Sequence, residues 1–416
     1  MHIDEQSDQF TLKAKAAIDK KGAIGPDVDL SAFDATPSPH AEMADDDLRN
    51  LPREEQEQLL MAGLDVTEKD RGGTFLQMNT HAVHCHSSQE GIEVLSIQKA
   101  LKEQPWVRDY YWKLADVSAD KYTAAAELGL HDGYVIRSLP GTKSVYPVQA
   151  CLYMHKDGMQ QNVHNIIVAE EDSELHIISG CATSPHLKRG LHVGISEFFV
   201  KKNAKLTFTM IHNWAEEVSV RPRSVARVEE GGHFINNYIS MKPVRSIQMY
   251  PTTYLEGEDA VARFYTIVVG SPGSEYDLGG RIFLKNKGNR AEIVARTISN
   301  GGKILARGHL VGEVPDIKAH LECKGLLLNG GVIHAIPELE GHVDGVEMSH
   351  EAAVGKIAQE EISYLMSRGL NEEEATSTIV RGFLNVDIPG LPPLFSSYNR
   401  NVGLINNIYK KLVKIG

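Results

Sequence analysis

The sequence predicts a mainly β protein, a right-handed parallel β-helix flanked by N-terminal and C-terminal helical regions. Short runs of alternating polar and apolar residues recur from about residue 130 onward, each bounded by Gly, Asn or Asp. No helical pattern separates these runs, which excludes a doubly wound α/β fold. The runs also share a Gly-containing turn followed by a small residue, a polar residue and alternating aliphatics. Such near-repeats favour a solenoid over a sandwich or a propeller, because each coil buries its inward row on its neighbours.

Length and composition allow a large buried core and exclude several functional classes. The 416 residues include 42% hydrophobic and 24% charged side chains, an ordinary globular balance. The net charge of −12 argues against a nucleic-acid binder, which needs clustered positive charge. No apolar run reaches the roughly 18–20 residues of a membrane span, and the N-terminus has no secretion-signal pattern. We therefore expect a cytoplasmic protein that binds neither nucleic acid nor membrane.

The N-terminal third begins as a polar stretch and then shows helical patterns. Residues 1–45 are rich in Asp, Ala and Pro, which predicts a flexible arm. Pro52 and Gly63 bracket a helical segment, since Pro is favoured just inside a helix and Gly at its end. Residues 92–125 continue as helix and carry an aromatic group that we interpret as core.

The spacing of apolar residues changes from the strand period to the helical period at Ser349, which we interpret as a helix N-cap. Apolar residues from Val354 to Met366 then fall on one helical face, and Asn371 with Glu374 predicts a second capped helix. Two such helices would cap the solenoid or dock a partner. The sequence thus divides into an arm (1–45), a helical region (46–128), the β-helix (129–348), a C-terminal helical region (349–388), and a linker with a basic final helix (389–416).

Several catalytic motifs are missing from the sequence. There is no GxxxxGK[ST] phosphate loop, no GxSxG elbow and no GxGxxG between a strand and a helix. The cysteines at 85, 151, 181 and 323 form no CxxC pair, which excludes a self-sufficient zinc ribbon. We interpret Cys151 and Cys181 as small buried hydrophobic residues. ATP hydrolysis, serine hydrolysis and dinucleotide chemistry therefore have no support in the sequence.

The fourth cysteine, Cys323, lies in a different setting. It occupies an alternating, strand-like run, and His334 and Glu338 follow close behind it. His350 and Glu351 come next, where the chain is expected to turn helical; the alternative is that they only complement the start of that helix. Sulfur, nitrogen and oxygen donors in proximity favour iron or zinc over acyl transfer. One cysteine cannot hold a metal cluster alone, so a second subunit or a carrier would have to contribute.

A second dense group of ligand-type residues is His81–His86. On a strand, His84 and His86 would share one face while Cys85 points to the other. The group is suited to adventitious zinc or nickel, but an exposed polar strand or loop is the favoured interpretation.

A series of motifs runs through about residues 130–385: Pro185-His186, His212-Asn213-Trp214, Arg263-Phe264, Cys323 with Leu326-Leu327-Leu328, His334 to Glu338, Ser349 to Ala352, Tyr364 to Ala375, and Ile379 to Phe383. In their residues and their order, these motifs resemble the SufB/SufD family of iron–sulfur cluster assembly scaffolds.

The resemblance implies a scaffold rather than an enzyme, with ATPase activity in a separate subunit. Two scaffolds would pair through their β-helices, and each would bind a SufC-type ABC ATPase through its C-terminal helices. This chain is most similar to the short, single-scaffold type, in which a second copy provides the other half. The cargo would be a transient 4Fe–4S cluster destined for recipient apo-proteins.

The resemblance also implies a ligand set. Cys323 matches the family's essential interface cysteine, and His350 and Glu351 match two members of its Glu-His-Glu segment. Ser349 replaces the first Glu of that segment, and Glu347 is the candidate substitute. His334, which the sequence itself places near Cys323, completes the expected metal ligands. Two other functions stay open from the sequence. One is a metal-free adaptor for the ATPase, and the other is a β-helix carbohydrate-active enzyme, which would need paired carboxylates along an external groove.

Overall fold

The computed structural model describes residues 3–37 and 47–384. Its helices are α1 (Ile3–Ala17), α2 (Arg53–Met61), α3 (Ile97–Glu103), α4 (Lys121–Leu128), α5 (Gln359–Ser367) and α6 (Glu372–Leu384), and 3₁₀ turns span Leu30–Ala32, Leu48–Asn50 and Pro105–Asp109. Its strands are β1 (Gly73–Met78), β2 (His81–Ser87), β3 (Ile92–Ser96), β4 (Tyr134–Ser138), β5 (Val148–Met154), β6 (Gln160–Ala169), β7 (Glu174–Thr183), β8 (Arg189–Val200), β9 (Lys205–Asn213), β10 (Glu217–Val220), β11 (Arg223–Val228), β12 (His233–Ser240), β13 (Ser246–Met249), β14 (Thr252–Leu255), β15 (Val261–Gly270), β16 (Glu275–Leu284), β17 (Arg290–Asn300), β18 (Lys303–Gly312), β19 (Ile317–Leu328), β20 (Val332–Gly341) and β21 (Val346–Gly355).

Two long sheets wind into a β-solenoid of about 8 turns. The first sheet contains the parallel series β5-β7-β9-β12-β15-β17-β19-β21, and β16, β18 and β20 lie near the end of the second. Val261 pairs with Arg290 and Arg290 with Lys318, so one coil takes 28 or 29 residues. The prediction of a mainly β solenoid with flanking helices is confirmed.

The core lies between the two sheets and follows from the alternation along each strand. In β19, Ala319, Leu321 and Cys323 are buried against the interior, while His320 and Glu322 on the other face are partly exposed. In-register pairing places like residues on top of one another, as where Ile293 of β17 pairs with Leu321. Burying such rows is worth roughly 25 cal/mol per Å² of apolar surface, which stabilises each coil on the next.

The N-terminal region differs from the expectation of a flexible arm followed by helices. Helix α1 packs against α4, and Ala14 and Ala17 are buried beside Trp112 and Tyr122. These alanines, with Phe10, give α1 an apolar face at helical spacing that the polar composition of the segment conceals. Strands β1, β2 and β3 also lie within residues 46–128, which were expected to be helical.

The expectation of a helix beginning at Ser349 is wrong. β21 continues through Ser349 to Gly355 because it pairs in register with β19 along its whole length. Ser349 does not cap a helix; its hydroxyl lies 2.9 Å from His320 Nδ1 on the neighbouring strand. Helix α5 starts only at Gln359.

The second predicted cap is confirmed at the start of α6. The Glu374 N–H donates to Asn371 Oδ1 at 2.8 Å, and the Asn371 N–H donates to the Glu374 carboxylate at 2.9 Å. Val380 and Leu384 of α6 pack on the outer surface of the first sheet. The basic final helix and residues 385–416 lie outside the described residues, and the division into five segments stays a prediction.

Candidate functional site

Cys323 lies on the inner face of β19, the next-to-last strand of the first sheet. It pairs with Ala295 of β17 on one side and with Ala352 of β21 on the other, and only 2% of its surface is exposed. Burial raises the pKa of the Cys323 thiol to about 11; the nearby Glu322 carboxylate adds to the rise and Arg296 opposes it. The sulfur is therefore protonated at neutral pH, and a metal ion would have to displace the proton before binding.

His350 shares the inner face with Cys323. It pairs with Leu321, so it lies one strand across and two residues along from the cysteine. β21 ends the sheet path in the described part of the chain, so no further coil pairs with its outer edge, and His350 is exposed. The solenoid thus brings one thiol and one imidazole to its uncovered end.

Glu351 and Glu347 lie on the opposite, outer face of β21. Glu351 pairs with Glu322 in the ladder, and its carboxylate is 3.2 Å from Lys324 Nζ. The Glu347 carboxylate is 2.8 Å from the Lys318 ammonium group. Both carboxylates are therefore held by lysines outside the solenoid, and they do not face the Cys323 sulfur.

His334 lies on the second sheet. It pairs with Leu305 of β18 and is exposed on the outer face of β20, whereas Ile333 and Ala335 turn inward. Within residues 3–37 and 47–384, no group of three or more His, Cys, Asp or Glu side chains already converges on a metal position. Among the predicted ligands, a single copy of the protein brings only Cys323 and His350 to a common face. The complete set of ligands stays a prediction.

A charged network behind Cys323 was missed by the sequence reasoning. Arg296 of β17 contacts the Glu322 carboxylate, and Lys324 is 3.2 Å from both Glu322 and Glu351. The Lys324 ammonium and the Arg296 guanidinium help to hold the Glu322 carboxyl pKa below its usual value, against the opposing effect of burial. The alternation along the strand could have predicted this network, because Glu322 and Lys324, on either side of the inward Cys323, must point outward.

The His81–His86 group forms β2, the edge strand paired antiparallel with β1. His84 and His86 share a face, with ring centroids 6.3 Å apart, as the strand pattern predicted. His84 Nε2 lies 3.0 Å from the Glu68 carboxylate, which gives this imidazole a protein partner. Cys85 is exposed.

Comparisons with known proteins identify the family of this chain. A family profile described as "SUF system FeS cluster assembly, SufBD core domain" matches residues 152–383, which is more than half of the chain. The chain belongs to the SufBD family. An "Iron-sulfur cluster assembly SufBD family protein" of Archaeoglobus fulgidus is 53% identical over 81% of this chain and 91% of its own length. A homologue of MTH1150 from Methanothermobacter thermautotrophicus (strain Winter), named in the same way, is 49% identical over 92% and 94%.

The family also includes more distant relatives of this chain. The "Iron-sulfur cluster assembly protein SufB" of Bacillus subtilis is 29% identical over 79% of this chain and 72% of its own length. Membership of the SufBD family supports a role in iron–sulfur cluster assembly. Among the described helices, none is both long and apolar enough to cross a membrane.

Proposed function

We propose that this SufBD protein is a scaffold subunit, without enzymatic activity of its own, on which an iron–sulfur cluster is assembled. The observation that carries the proposal is the placement of Cys323 and His350 on one face at the uncovered end of the solenoid. Thiolate and imidazole are ligands that iron accepts. The cluster is cargo, and a site with few thiolates would hold it less firmly than four cysteines, which suits a scaffold that must release its product.

A second copy would complete the ligand set. In the described part of the chain, β20 pairs with β18 and β21 with β19, so each has a free edge available for pairing. Val332 and Val354 are exposed on these two strands. Two copies joined there by a two-fold axis would supply each ligand twice, giving two thiolates and two imidazoles for a 4Fe–4S cluster. Glu351, Glu347 or His334 would join only after a rearrangement, since they face outward.

The C-terminal helices are the proposed docking site for a SufC-type ABC ATPase. Tyr364 and Met366 of α5 are exposed apolar side chains of the kind that partner interfaces bury. Val380 and Leu384 of α6 pack in one apolar cluster with Leu326, which lies on β19 three residues beyond Cys323. A force on α6 would therefore reach the strand that carries the cysteine. Transfer of the finished cluster to recipient apo-proteins would follow.

Anaerobic reconstitution with ferrous iron and sulfide tests the proposal. We expect visible absorption from a cluster in the unaltered protein and its loss in Cys323→Ser, with Cys85→Ser as the matched exposed-cysteine control. The native mass of the complex, purified without oxygen together with its ATPase, should correspond to two scaffolds and two ATPases. Unchanged iron and sulfide content in Cys323→Ser would refute the assignment of this cysteine.

A further inference from the structure

A second group of metal-ligand side chains lies outside the proposed scaffold site, on the outer face of the second sheet. His309 of β18 and Glu340 of β20 lie on neighbouring strands, and His342 follows directly after β20. The His342 N–H donates to the Gly312 carbonyl at 2.9 Å, which fixes the backbone beside the end of β18. The Glu340 carboxylate lies between the two imidazoles.

The distances within this group are unsuited to hydrogen bonds and suited to shared ligation. His309 Nε2 and His342 Nε2 lie 3.5 and 3.6 Å from the same oxygen, Glu340 Oε2. A strong hydrogen bond would bring such atoms to roughly 2.7–3.2 Å. Ligands around a tetrahedral metal with bonds of roughly 2.0–2.1 Å are separated by about 3.3–3.4 Å, close to the spacing seen here.

His309 supplies an independent indication of a missing ligand. Its exposed fraction is 9%, and both ring nitrogens are buried without a hydrogen-bond partner among the residues that the structure describes. An unsatisfied buried polar group costs roughly 1–3 kcal/mol, so native structures rarely keep one without a reason. The neighbouring cation, Arg281 of β16, stacks over the Tyr250 ring and leaves the imidazole nitrogens unpaired.

We propose that His309, Glu340 and His342 bind a divalent transition-metal ion such as zinc or ferrous iron. The three side chains do not yet converge on one point. About half of the Glu340 and His342 side chains is exposed, so both can rotate toward the fixed His309. Two imidazoles and one carboxylate, with a coordination position left open, form a ligand set that zinc and non-haem iron both use. This site is separate from Cys323, and it does not depend on the scaffold function.

Cobalt(II) titration of the metal-depleted full-length protein tests the proposal. We expect one ion to bind with visible bands of nitrogen and oxygen ligation and without sulfur-to-cobalt charge transfer. Glu340→Gln and His342→Ala should each weaken binding by roughly tenfold or more, while His233→Ala, an exposed histidine elsewhere, should not. Both test positions are exposed, so loss of folding is not expected to obscure the result.

Three outcomes would overturn the proposal. The first is equal binding in Glu340→Gln, His342→Ala and the unaltered protein, the result expected if the ion bound at His84 and His86. Thiolate charge transfer would place the ion at a cysteine. Absence of cobalt, zinc or ferrous-iron binding at micromolar protein would remove the site altogether. Cluster reconstitution on the same variants keeps the two proposals distinct, because it should survive the loss of Glu340 or His342.

Discussion

The protonation state of Cys323 gives a quantitative test of the interior position assigned to it. With its pKa raised from 9.0 to about 11, this thiol at pH 8 is ionised in about one molecule in a thousand, against about one in ten for an ordinary thiol. The hundredfold loss of thiolate is partly offset, because a more basic thiolate is roughly tenfold more nucleophilic over two pKa units. Alkylation should therefore be about tenfold slower than in the unfolded chain, before any slowing due to poor access.

Iodoacetamide labelling between pH 7 and 9.5, followed by peptide mass spectrometry, measures this rate for each cysteine separately. In the native protein the Cys323 rate should rise about tenfold per pH unit across the whole range, whereas in urea it should level off near pH 9. The urea-unfolded chain is the control for intrinsic reactivity. A native rate that levels off below pH 9, or that equals the unfolded rate at pH 8, would refute a buried and protonated Cys323.

Three further predictions concern stability and are checked by urea unfolding. Glu197→Ala should lower the free energy of unfolding by about 3–5 kcal/mol. The Glu197 carboxylate and the His164 imidazole form a fully buried pair at 2.8 Å, and the substitution leaves the buried imidazole without this partner. Burial lowers the pKa of His192 from 6.5 to about 3, so its neutral form stabilises the fold above pH 6.5 and that stability is lost as pH falls toward 3. His192→Gln should therefore reduce the acid sensitivity between these values; an unchanged pH dependence would contradict the reasoning. Asn371→Ala should cost about 1 kcal/mol of α6 stability by removing the cap on the Glu374 N–H, while Thr376→Ala in the same helix should cost less.

The solenoid could be predicted from the sequence because its physical cause is local. Each strand alternates inward and outward residues, as in Ala319, Leu321 and Cys323, and the turns between strands carry Gly, Asn or Asp. The end of the solenoid could not be located in the same way. The residues from Ser349 onward resemble the start of a helix, because a serine that could act as a cap is followed by an acidic residue. Only the pairing with β19 makes this segment a strand.

The second property that the sequence could not predict was the face of the strand on which each candidate ligand lies. Proximity along the chain suggested that His334 and Glu351 would gather around Cys323, and the family resemblance added Glu347 as the candidate substitute for Ser349. The sheets instead direct His334 outward from β20, and the odd-numbered Glu347 and Glu351 outward from β21. A shift of one residue along a strand changes the face, so a ligand set inferred from spacing is sensitive to where each strand begins.

The two faces of β19 suggest how the proposed assembly site would open. On the inner face, Cys323 pairs with Ala352 of β21, a small side chain that adds little packing to that strand. On the outer face, β21 is tied to β19 by the Lys324–Glu351 and Lys318–Glu347 pairs, whose acids are both more than half exposed. Exposed ion pairs contribute about 0–1 kcal/mol each, so displacement of β21 would cost chiefly its ladder hydrogen bonds and the packing of Val346 and Met348 against the core. α6 packs against β19 at Leu326, so it is placed to transmit a partner's motion to the strand that carries the thiol.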